Sequence, residues 1–136
     1  MNVKKYIVIK TDFIGFHYWD NAPDKFGYLK SPHRHKFFVT VYKQVTGSDR
    51  EIEFIDFKHQ VTRYLRDFYE HKTFSLSCEH IAEDIMRFFD CDKVYVFEDD
   101  ENGAMIVKDG VEEERIGPDT PKPKSPYYTR GEGRPV

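Results

Sequence analysis

His33-Arg34-His35-Lys36-Phe37-Phe38-Val39-Thr40-Val41 decides how the rest of the chain is read. Side chains on a strand alternate between faces, so His33, His35, Phe37, Val39 and Val41 share one side. Two imidazoles then stand together at the end of an apolar stripe. An earlier strand pattern, rich in β-branched and aromatic residues, runs from Tyr6 to a third histidine, His17. Three nitrogen donors from neighbouring strands, with a fourth position open, make the arrangement of a catalytic zinc rather than a structural one. The spacing by itself leaves a second reading open, surface histidines beside a turn.

The segments around these strands complete a small α+β pattern. Residues 20–32 hold Asn, Pro, Asp, Gly and Ser and read as a loop. After the Thr46-Gly47-Ser48-Asp49 turn, residues 51–56 read as a short strand or strand extension. From Phe57 the period changes, and Val61, Tyr64, Leu65 and Phe68 fall on one face of a helix. Ser77 is a candidate N-cap for a second helix. That helix carries Ile81, Ala82, Ile85, Met86 and Phe89 on one side and ends near Asp90. A strand over residues 93–98 is followed by a tight turn over residues 99–103, where Asn102-Gly103 is a hairpin signal. Residues 104–108 pair back. The order strand, strand, helix, helix, strand, strand predicts a four-stranded antiparallel sheet with both helices on one face. Its two open edges invite pairing with other subunits.

Composition narrows the function classes. The 136 residues suit one domain, read as residues 1–110, with a tail over 111–136 that holds five of the seven prolines and is expected to be mobile. A formal net charge of -3 argues against a nucleic-acid footprint, which needs clustered excess Lys and Arg. No apolar run approaches a membrane span, and no signal peptide is evident. Two cysteines, Cys78 and Cys91, form no disulfide framework and suit a reducing, cytoplasmic setting.

Five stretches, in order, resemble the 6-pyruvoyl-tetrahydropterin synthase and 6-carboxytetrahydropterin synthase family. They are Phe13-Ile14-Gly15-Phe16-His17, His33-Arg34-His35-Lys36-Phe37, Ile55-Asp56-Phe57, Ser77-Cys78-Glu79-His80-Ile81-Ala82 and Val94-Tyr95-Val96-Phe97-Glu98. The resemblance implies the tunnelling fold, in which ββααββ subunits assemble into an oligomeric barrel with pockets between subunits. It implies Zn2+ on His17, His33 and His35, and a reduced pterin held by Glu98 with Glu79 near the same pocket. A carboxylate suits a 2-amino-4-oxo pyrimidine because it accepts two parallel hydrogen bonds. Tyr69-Glu70-His71 matches the family's Leu-Asp-His element, making His71 a candidate general acid/base oriented by Glu70. The implied activity is a zinc-dependent lyase acting on 7,8-dihydroneopterin triphosphate or a related reduced pterin, in one branch leading toward 7-deazaguanine compounds such as queuosine.

The chain departs from that pattern in one loop. The family places a catalytic Cys, or in a variant branch Glu, shortly before its His-Gly-His. Residues 25–32 hold neither. Tyr28 and Ser31 are the side chains available there, and Cys78 is a further candidate thiol, against the alternative that it is a small buried residue. The departure keeps two other readings alive: a zinc-containing protein that binds a pterin or purine without turnover, and a related zinc enzyme with a changed substrate. Arg34, in place of Gly, is expected to point away from the metal. Trp19 is expected either to wall the pocket or to fill the core. His59 and His80 read as surface residues.

Overall fold

The computed structural model describes residues 2–108. Within them the chain forms β1 (Lys5–His17), β2 (His33–Val45), α1 (Phe54–Phe68), β3 (Thr73–Phe74), α2 (Cys78–Phe89), β4 (Lys93–Glu98) and β5 (Asn102–Val107). A short 3-10 segment, Asp24–Lys30, sits in the loop between β1 and β2. The expected tail over residues 111–136 lies outside the described residues. No helix among those described is long and apolar enough to cross a membrane.

The sheet has five strands in the order β3-β1-β2-β4-β5, not the four expected. The added strand is the pair Thr73–Phe74, which lies parallel to Phe16 and His17 and makes the sheet mixed rather than antiparallel. Two residues carry no alternation that could be read from sequence, and their pairing follows from where α1 ends. The expected strand over residues 51–56 is also corrected. Glu51 turns its carboxylate back onto the amides of Thr46 and Gly47, at 3.0 and 2.7 Å. Glu53 then caps α1 by accepting from the Asp56 amide at 2.9 Å. The β4–β5 turn is centred not on Asn102-Gly103 but on Asp99 and Asp100, whose φ values are 52° and 59°. Glu101 N–H closes it on the Glu98 carbonyl.

The long β1–β2 pairing sets the registers that matter. His17 lies opposite His33, Gly15 opposite His35, and Phe13 opposite Phe37. Across the other edge of β2, Phe37 lies opposite Glu98. α1 packs on β1, and α2 packs on β4 and β5, so both helices cover one face. Ile9, Phe13, Phe37, Val39, Val41, Val94 and Val96 supply the sheet side of the core. Phe57, Val61, Tyr64, Leu65, Ile81, Ile85 and Phe89 supply the helix side. Burying side chains of this size stabilises by about 1.5–3 kcal/mol each. The hydroxyls of Tyr64 and Tyr69 are satisfied inside the core by donating to the buried Asp84 carboxylate.

The opposite sheet face carries Tyr6, Val8, Met105 and Val107, all exposed. β5 is an open edge, and β1 is covered on its outer side by β3 only at Phe16 and His17.

Candidate metal centre

The ends of β1, β2 and β4 meet at one corner of the sheet. Phe13 and Phe37 stack there at 4.9 Å, and Phe37 and Phe74 lie beneath the His17 ring at 5.3 and 6.2 Å. Gly15 leaves space for this packing, since a Cβ there would meet the Phe74 ring at 2.9 Å. On this aromatic floor stand His17, His33 and His35, with one ligand atom of each within 4.8 Å of the others. The alternation of β2 brings His33 and His35 together, as the spacing predicts, while Arg34 is exposed on the other face.

The hydrogen bonds around the three rings favour a metal over mere proximity. His33 Nδ1 lies 2.9 Å from the Ser31 carbonyl, and His17 Nδ1 lies 3.4 Å from the Leu76 carbonyl. His35 Nδ1 lies 2.6 Å from Asp99 Oδ2. Every Nδ1 thus faces an acceptor that can take its proton in a hydrogen bond, so Nε2 is the nitrogen left for a metal, which at His17 would replace the contact with Glu98. Metal-binding histidines are held by this second layer of acceptors. The donor set, three imidazole nitrogens with a cleft on the fourth side, fits Zn2+ in an open site.

Glu98 faces the triad. Its Oε2 lies 3.0 Å from His17 Nε2, and its Oε1 lies 3.7 Å from His35 Nε2. The hydrogen bond with His17 holds the Glu98 carboxyl below the usual carboxylate range, outweighing its partial burial. Asp99 is also held low, first by His35 and then by the Lys36 amide. In the sequence Asp99 is one acid of an acid-rich turn, with no motif of its own. Its one sequence signal is that it directly follows the acid ending β4, and the pairing of Glu98 with Phe37 then brings it beside the start of β2.

The triad opens into a cleft of about 560 Å³, a volume suited to a small organic molecule. Glu98, Glu79, Cys78, Trp19 and Leu29 line it, with Asn102 and Gly103 at the β5 side. Trp19 therefore walls the cleft rather than filling the core, and it is braced by Phe26 at 6.0 Å. The β1–β2 loop presents Leu29 to the cleft, whereas Tyr28 is 72% exposed and neither Tyr28 nor Ser31 is among the lining residues. Burial first, and then the charge of Glu98, push the Cys78 thiol up to about 12, which keeps it protonated and un-nucleophilic at neutral pH. Ser77 caps α2 by accepting from the His80 amide at 3.1 Å, which sets Cys78 and Glu79 at the rim.

Glu70 and His71 lie elsewhere. Glu70 Oε1 accepts from the Ile14 amide at 3.3 Å and from Arg66 at 2.9 Å, and Oε2 lies 3.3 Å from His71 Nε2. The His71 amide donates to the Ile14 carbonyl, so the pair sits on the outer edge of β1. The His71 side chain is 67% exposed and does not line the cleft of its own chain.

No protein-family model matches the sequence, and no curated protein matches it. Among solved structures, 6-pyruvoyl tetrahydropterin synthase of Caenorhabditis elegans matches with a TM-score of 0.59 at 13% identity, covering 78% of this chain and 96% of that one. At that identity the likeness establishes a shared fold.

Proposed function

We propose that the protein is a zinc-dependent lyase acting on 7,8-dihydroneopterin triphosphate or a related reduced pterin. One observation carries the reading: three imidazoles with ligand nitrogens within 4.8 Å of one another stand directly beside a carboxylate in a cleft of ligand size. The fold shared with a pterin synthase supports it. Zn2+ on His17, His33 and His35 supplies Lewis acidity for the hydroxyls of a bound side chain. Glu98 accepts two hydrogen bonds from the ring of the pterin, and the indole of Trp19 offers a flat wall for that ring. Glu79 stands at the rim for the remaining polar atoms.

Proton transfer falls to His71, oriented by Glu70. Because His71 faces away from its own cleft, it would act in the cleft of a neighbouring copy. The open edges of β1 and β5 and the exposed apolar sheet face support such an assembly, a homo-oligomeric barrel of six or another multiple of two or three subunits. The free, buried state of Cys78 and Cys91 supports a cytoplasmic protein.

A second reading is favoured by a specific observation: no thiolate or loop carboxylate reaches the cleft from the β1–β2 segment, where Leu29 stands instead. In that reading the site holds a pterin or purine without turnover, or performs zinc chemistry on a changed substrate. Incubation of zinc-loaded protein with 7,8-dihydroneopterin triphosphate, read by mass spectrometry beside a His33→Ala control, separates them. A zinc-dependent product supports the lyase, and its mass names the branch. Bound ligand returned unchanged supports the binder.

A further inference from the structure

We infer that Asp99 is a positioning residue that sets His35 as a metal ligand, through a carboxylate contact at Nδ1 that the other two histidines lack. This rests on the metal reading above and deepens it at one of its three ligands. His17 and His33 direct Nδ1 at neutral backbone carbonyls, Leu76 and Ser31. His35 alone directs Nδ1 at a carboxylate, at 2.6 Å.

The fold holds that carboxylate still. Asp99 sits at φ 52°, where the chain leaves β4 for the turn. Its amide donates to the Lys36 carbonyl at 2.7 Å, and its Oδ1 accepts from the Lys36 amide at 3.1 Å. Both bonds tie it to the residue following His35. Oδ1 is thus committed to the backbone of β2, and only Oδ2 is left for the imidazole. The proton is thereby kept on Nδ1 and the lone pair on Nε2. A carboxylate behind an imidazole also raises its basicity toward a metal, and loss of such a partner costs about 10- to 100-fold in metal affinity. Asp100, next in the turn at φ 59°, makes no contact with a histidine among the hydrogen bonds and ion pairs of the described residues.

Asp99→Asn is a sharp test, because Asn tolerates positive φ as well as Asp does and keeps the turn. The Lys36 amide will hold the single amide oxygen. The NH2 group must then face His35 Nδ1, which stabilises the opposite tautomer, with the proton on Nε2. The ligand atom is blocked while the volume is unchanged. Zinc affinity of the full chain is measured by chelator competition for the parent, Asp99→Asn, Asp99→Gly and Asp100→Asn. The His35 tautomer is read by 15N NMR of the metal-free proteins. The expected result is a loss of about 10- to 100-fold for both Asp99 variants and about none for Asp100→Asn. The tautomer at His35 should reverse only in Asp99→Asn, with metal-free melting temperatures near the parent's. Equal zinc affinity in parent and Asp99→Asn, with Nδ1 still protonated, overturns the inference while leaving the metal reading intact. A parent that binds no zinc overturns both.

Discussion

At His17, His33 and His35 the physical question is which nitrogen faces inward, and each ring answers it through the acceptor behind Nδ1. Glu98 is the residue whose role divides the functional readings, because it touches both the triad and the cleft. Glu98→Gln keeps the shape but replaces one acceptor oxygen with a donor. Pterin binding should weaken about 10- to 100-fold, matching the loss of a charge-assisted bond of about 1.5–3 kcal/mol. Zinc affinity should fall far less. Calorimetry with each ligand checks both, and an equal loss for the two would argue that Glu98 serves the metal instead. Glu51 offers a separate residue-scale prediction, in stability. Hydrogen bonds from Gly47 and Thr46 hold its carboxyl below the ordinary value. Its contribution is therefore complete above the unfolded pKa of about 4.3 and is lost as pH falls through the lower folded value. Glu51→Gln should flatten the acid side of a melting-temperature profile below about pH 5 while leaving the neutral-pH trend unchanged.

Among the elements, the β4–β5 hairpin does more than close the sheet. Its two left-handed residues, Asp99 and Asp100, end β4 so that Glu98 points at the triad and Asp99 reaches behind it. β5 then returns through Gly103, where any Cβ would lie 2.1 Å from the Val96 carbonyl oxygen and 2.5 Å from Phe97 Cα. Those are backbone atoms of the paired strand and cannot swing aside. Gly103→Ala should cost about 1–3 kcal/mol or more by forcing the strands apart. It should also disturb Glu98, the last residue of β4. Chemical denaturation measures the first effect, and a wild-type melting curve would contradict it. The N-terminus of α2 is the other element that shapes the cleft, since the Ser77 cap determines where Cys78 and Glu79 stand.

In the whole molecule, the helices cover one sheet face and leave the other with exposed Tyr6, Val8, Met105 and Val107. The cleft lies at the sheet end and His71 at its outer edge, so the proposed chemistry needs more than one copy. Light scattering should show an oligomer of several subunits. Mixing inactive His33→Ala and His71→Ala proteins under conditions that exchange subunits should restore part of the turnover, because some clefts regain an intact triad beside an intact His71. A monomer with full activity would exclude this arrangement.

The sequence by itself determined the two long strands, both amphipathic helices and the grouping of His33 with His35. These follow from periods of 2 and 3.6, which act within a few residues and are visible along the chain. The placing of His17 with them also followed from strand parity once β1 and β2 were assumed to pair. Only the tertiary structure decided the rest. β3 exists because the end of α1 delivers Thr73 and Phe74 to the edge of β1. The start of α1 was masked because Glu53, an unusual cap, sits within a stretch rich in β-branched and aromatic residues. Asp99 became part of the site through the β2–β4 register, which brings residues 35 and 99 together across 64 positions. Such contacts depend on which strands pair and where each turn is centred, and no local pattern carries that information.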